Sequence, residues 1–136
     1  MTSKLSVDTI QGVSQAGSIT VQGEGTAETN LQQGLAKVWG NYNASQALQD
    51  SFNTASITDV ATGDHTINFS NNMGNANYAM GSTGSNGSGA AATSYTMTAG
   101  DLATDRVQVD VFLPTASGMA KGDRSTNLYM ITGDLA

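Results

Sequence analysis

The sequence predicts a mostly β protein: a C-terminal antiparallel β-sandwich, an extended N-terminal arm and one short helix. Three observations carry that expectation. After Trp39 short segments alternate apolar and polar residues, most clearly Val107–Val111, the period of a half-buried strand. Gly, Asn and Asp clusters interrupt them at near-regular intervals, as between the strands of a sandwich. The composition agrees: only 12% of the 136 residues are charged, about half the usual share, and Gly, Ser, Thr, Asn and Gln take their place. Such a neutral polar surface suits repetitive or oligomeric β structure. The length allows one domain and a short arm, not two independent cores.

Residues 1–28 read as the arm. Leu5, Val7, Ile10, Val13, Ile19 and Val21 alternate loosely, interrupted by Gly12 and Gly17, which predicts two or three short extended pieces. These hold too little apolar mass for a core, so the arm needs another copy of the chain or a docking surface. Leu5, Val7 and Ile10 are its candidate attachment residues. Gln22–Ala27 reads as a linker.

Residues 29–40 read as a short helix or linker. Thr29 or Asn30 is a suitable N-cap, and Leu31, Leu35, Val38 and Trp39 follow at helical spacing. Gly34 costs a helix about 1 kcal/mol relative to Ala, which keeps it short. Two arrangements satisfy this pattern. A parallel bundle on a three-fold axis would bury Leu31, Leu35 and Val38 together; alternatively, a single turn packs on its own domain.

Residues 41–136 read as the sandwich. The segment Asp50–Val60 alternates loosely. A hairpin is expected from a strand near 55–60, a turn at 61–64 and a strand at 65–69. Asn71–Asn75 is a turn cluster, and Tyr78–Gly81 opens another strand. Gly81–Ala92 reads as a long Gly/Ser/Ala loop. Thr93–Thr98 is a strand with Tyr95 and Met97 on one face. Val107–Leu113 is the clearest strand, with Val107, Val109, Val111 and Leu113 facing one way and Pro114 ending its hydrogen bonding or marking an edge. Met119–Arg124 reads as a polar loop and Asn127–Ile131 as the last strand. Loops at one end of a sandwich are its natural contact surface. The candidates are Ser82, Ser85, Asn86 and Ser88 in the first loop, and Lys121 and Asp123 in the second.

Several chemistries are disfavoured. A net charge of −6 with five scattered basic residues argues against nucleic-acid binding. The absence of cysteine removes thiol chemistry and cysteine metal sites. No run approaches the roughly 20 apolar residues that span a bilayer, so membrane insertion is not expected. The opening Met1–Val7 lacks the apolar segment of a signal peptide. The single histidine, His65, reads as a surface strand residue beside Asp64. Asp59 and Asp64 read as turn residues without a calcium-loop pattern. The Gly-rich tract 81–89 lacks the Lys-Ser/Thr ending of a phosphate loop. No enzyme, cofactor or metal is expected.

Leu35-Ala36-Lys37-Val38-Trp39-Gly40-Asn41-Tyr42-Asn43, Asp50–Asp59, Thr62–Phe69 and Asn75–Tyr78 together resemble a module of bacteriophage tail fibres and related virion appendages, chiefly of marine phages. His65 departs from it, standing where that module carries an aromatic residue. Leu5–Gln11 and Thr132–Ala136 are similar to the openings and ends of such chains. The resemblance implies a virion structural protein, assembled in the host cytoplasm, with no catalytic residues. Its expected partners are itself, as a homotrimer, other virion proteins through the arm, and a host surface glycan. A tail fibre or tail tip with a host-contacting head is the first reading. A capsid decoration protein or head fibre is the second. A carbohydrate-binding module is the third; it needs an aromatic platform drawn from Trp39, Tyr42, Tyr78, Tyr95, Tyr129 and the three Phe.

Overall fold

A computed structural model describes residues 4–13, 18–22, 25–86 and 94–136. The chain forms two compact units, Met1–Leu35 and Ala36–Ala136.

The N-terminal unit is small. Strands β1 (Thr20–Gln22) and β2 (Glu28–Asn30) form an antiparallel hairpin with Thr20 opposite Asn30. Of the Gln22–Ala27 stretch expected to be a linker, Gln22 belongs to β1 and residues 25–27 lead into β2; residues 23 and 24 lie outside the described residues. Of the extended pieces expected over residues 3–22, only β1 is a paired strand among the described residues. Helix α1 covers only Leu31–Gly34 and is capped by Asn30, whose side chain accepts from the Gln33 N–H at 3.0 Å.

The helical reading of residues 35–39 is corrected. Ala36–Tyr42 is strand β3. Val38 is fully buried while Trp39 beside it is exposed, the period-two signature of a strand. The helical spacing was satisfied by coincidence. Gly34 weakens the local helix, and pairing with a distant strand outweighs what remains. Val38 therefore lies in the sandwich core, not on a helical symmetry axis.

The second unit continues with β4 (Leu48–Phe52), β5 (Thr54–Ala61), β6 (Asp64–Phe69), β7 (Ala79–Ser85), β8 (Ser94–Leu102), β9 (Arg106–Thr115), β10 (Gly118–Lys121) and β11 (Thr126–Thr132). The hydrogen-bonded order is β4-β3-β11-β7-β8-β9-β6-β5, antiparallel throughout, with β10 on β9. Strand β8 belongs to both halves: Tyr95 pairs with Gly84 of β7, and Thr96 onward pairs with β9. At the other margin β4 runs directly into β5 through Asn53, which takes a positive φ of 55°. Its amide donates to the carbonyls of Lys37 and Asn71 and accepts the Asn71 N–H. The sheet thereby folds over itself as a nearly closed sandwich.

The core lies between the halves. Val38, Tyr42, Tyr129 and Ile131 meet Ile67, Phe69, Met97, Val107, Val109 and Val111. Tyr95 and Met97 are both buried, as their shared face requires. Pro114 lies inside β9, opposite Met119, beyond the last pairs with β6 and β8. There β9 keeps only β10, so a missing N–H costs no ladder bond. Two loops are shorter than expected. Residues 81–85 of the Gly81–Ala92 stretch are strand, paired with β11; residues 87–92, and Thr93 at the expected start of the next strand, lie outside the described residues. Gly118–Lys121 is strand as well, so the Met119–Arg124 loop begins only at Gly122.

Candidate contact surfaces and the buried histidine

The N-terminal unit leaves its apolar side chains in solvent. Leu5 is 79% exposed and Val13 96%, with Val7, Ile10, Val21 and Leu35 each at least half exposed. Leu31 and Leu35 line an open groove of about 330 Å³ with Val21, Thr29, Asn30 and Gly34. Of the six residues expected to make attachment or oligomer contacts, five thus belong to this unit. Val38 belongs to the other.

The expected loop contacts divide. Ser82 sits within β7, where its hydroxyl donates to the Met97 carbonyl at 2.8 Å. Ser85 ends β7 and Asn86 follows it, exposed. The Ser125 hydroxyl donates to the Ser85 carbonyl at 3.2 Å, which joins the last residue of β7 to the residue before β11. Ser88 lies outside the described residues. Lys121 is tied down by Asp110 at 2.6 Å and lies 3.8 Å from Asp64.

Asp123 leads to the feature that sequence reasoning missed. His65 is not a surface strand residue; it is fully buried. Its Nδ1 lies 3.0 Å from the Tyr42 hydroxyl and its Nε2 3.1 Å from Asp123 Oδ1; the Gln46 amide nitrogen stands 3.2 Å from Nε2 and donates to the Ala44 carbonyl. A carboxylate only accepts, so Nε2 carries the proton and Nδ1 accepts from Tyr42. Asp123 Oδ1 also accepts the Gly63 N–H at 2.7 Å. Asn43 builds the loop that delivers Gln46, its Oδ1 accepting the N–H groups of Ser45 and Ala47. The network thus ties the β3–β4, β5–β6 and β10–β11 connections together. A legible signal did exist: His65 shares strand parity with Ile67 and Phe69, both core residues.

The electrostatics favour a structural role. Burial holds the Tyr42 phenol well above the ordinary phenol range, and the Tyr129 and Asp123 charges add to this. Burial keeps this phenol protonated near neutral pH. The Gly63 N–H lowers the Asp123 carboxyl; partial burial opposes that, and the His65 hydrogen bond adds to the lowering. A lowered folded value stabilises the fold above the ordinary carboxyl range and loses that contribution as pH falls through it. Asp123→Asn should therefore be less stable than the parent at pH 7, with the gap closing below about pH 4. Urea midpoints at pH 7 and pH 2.5 measure this; a gap that persists in acid would refute it. At the alkaline end, burial pushes the Tyr129 phenol up to about 12, and a hydrogen bond with Thr54 opposes the rise. That contribution is complete below pH 10 and is lost between 10 and 12.

The chain matches no protein-family model, no curated protein and no solved structure.

Proposed function

We propose that this chain is a structural surface appendage of a bacteriophage virion, its N-terminal unit docking and its sandwich displayed. The observation that carries this reading is the division of apolar side chains. The sandwich hides Val38, Ile67, Val109 and their neighbours completely. The N-terminal unit exposes Leu5, Val7, Ile10 and Val13 beside an apolar groove lined by Val21, Leu31 and Leu35. Among the described residues the N-terminal unit, about a quarter of the chain, carries six of the twelve exposed large apolar residues, and apolar exposure of that density marks an interaction site. A two-stranded hairpin is at best marginally stable alone. Other copies of the chain and a particle protein are the natural cover, in a homotrimer with the arm innermost.

The triple variant Leu5→Ser, Val7→Ser, Ile10→Ser tests the reading. The parent should scatter light as a trimer at micromolar concentration and appear on immunolabelled virions. The variant should be monomeric and absent from particles, with an unchanged sandwich melting temperature. A monomeric parent would remove the trimer, and normal incorporation of the variant would remove the attachment role. Labelling at the tail supports a host-contacting fibre; labelling over the head supports a decoration protein.

A further inference from the structure

The outer face of the β4-β3-β11-β7 half carries apolar side chains in register. Phe52 pairs with Trp39, Trp39 with Met130, and Met130 with Gly81, so the four form one row across four strands. Phe52 and Met130 are each 51% exposed and Trp39 is 38% exposed. The next outward row is mostly polar: Asp50 opposite Asn41, then Leu128 and Thr83. Neighbouring strands lie about 4.8 Å apart and the two rows about 7 Å apart. Trp39 and Phe52 therefore stand in one row on neighbouring strands, with a carboxylate and an amide one row behind. Gly81 has open space where a side chain would stand, and beside it runs a shallow groove of about 280 Å³ bordered by Thr83, Leu128 and Met130.

We propose that this face is a platform for a neutral saccharide chain. The Trp39 and Phe52 rings lie under the C–H faces of successive sugar rings, and Asp50 and Asn41 reach hydroxyls at the ring edges. Two observations select this occupant. The first is size: Phe52, Met130, Leu128 and Trp39, between 38% and 51% exposed, offer roughly 300–400 Å² of apolar surface, less than the roughly 450 Å² of apolar area within the about 800 Å² that each partner buries in a stable protein interface. The second is charge: the two rows carry one carboxylate and no cation, which disfavours phosphate, sulfate and nucleic acid and leaves an uncharged hydroxylated ligand. The platform drawn from tyrosines does not form, because Tyr42, Tyr78, Tyr95 and Tyr129 are all buried. This site deepens the host-contact half of the appendage reading, yet it does not use the arm, so the two can fail separately.

Trp39 is the only tryptophan, and its emission reports on the site without a label. The full chain is titrated with cellohexaose, maltohexaose and mannohexaose, with a heparin hexasaccharide as anionic control. At least one neutral hexaose should shift the emission saturably, and heparin should not. Phe52→Ala and Gly81→Gln should each weaken that binding about tenfold, roughly 1.4 kcal/mol, without lowering the melting temperature. Gly81→Gln places a side chain over the platform without removing any contact, so it tests the site independently of folding. The proposal is overturned if no neutral hexaose binds, if neither variant weakens binding, or if heparin binds more tightly. It is also overturned if Trp39 emission depends on protein concentration and that dependence disappears in Phe52→Ala, which would make the face a contact between copies.

Discussion

Gly63→Ala should destabilise the protein by about 3–5 kcal/mol, enough to unfold much of a marginally stable domain. Gly63 turns the β5–β6 hairpin at a φ of +67°, where a Cβ costs about 1–2 kcal/mol. The new methyl also collides with the Gly122 nitrogen and comes within 2.9 Å of the Val111 carbonyl. Both are backbone atoms held in place: Val111 donates to the Gly63 carbonyl at 2.8 Å, and Gly122 donates to the Val111 carbonyl at 3.1 Å. Overpacking of this kind adds about 1–3 kcal/mol. The displaced turn would also pull the Gly63 N–H from Asp123 and loosen the buried histidine. A urea midpoint gives the magnitude. Gly63→Asn separates the causes, since Asn tolerates positive φ but carries the same Cβ. A near-parental Asn variant would rule out the collision.

Gly40→Ala should cost about 2–4 kcal/mol, by a different route. Its backbone is ordinary strand, but the space where a Cβ would stand is filled by the Tyr129 ring, with Cζ at 2.6 Å and Cε1 at 3.0 Å. That ring crosses Gly40 so that its hydroxyl reaches the Thr54 hydroxyl at 2.7 Å. It is buried and packs 6.1 Å from the Tyr42 ring. An added methyl forces a buried ring out of its rotamer and breaks the link to β5. Gly40→Ala combined with Tyr129→Ala should cost clearly less than the two single changes summed, because the second substitution vacates the contested space. Simple additivity would show that the ring is not what the methyl meets.

Local signals account for much of this architecture. Strand β6 and the Val107–Val111 strand alternate strictly, and they pair with each other as that alternation requires; Leu128–Ile131 in the final strand is apolar throughout, and its faces follow from pairing with β3 and β7. The Asn30 cap was also legible, because capping depends on residues three apart. Leu5, Val7 and Ile10 were marked as needing a partner from apolar poverty alone, and they are exposed in the fold. The misplacements share one cause. Ala36–Trp39 reads as the end of a helix in a local window and is strand because β11 lies on one side of it and β4 on the other. Asp50–Val60 alternates only loosely, with a strand expected near 55–60 alone, and it is two strands, bent at Asn53 by hydrogen bonds to residues 16 and 18 positions away.

The sequence by itself determined the β class and the faces of the strictly alternating strands, since period and composition are local properties of the chain. Only the tertiary structure decided which outward residues share a row and which polar groups are buried together. His65, Tyr42 and Asp123 are 23 and 58 positions apart from one another along two links, and Trp39 meets Phe52 and Met130 through pairings with two different strands. Register of that kind is set by the fit of whole sheets around a common core, because a one-residue slip would turn every buried side chain to water. No window of sequence contains that information.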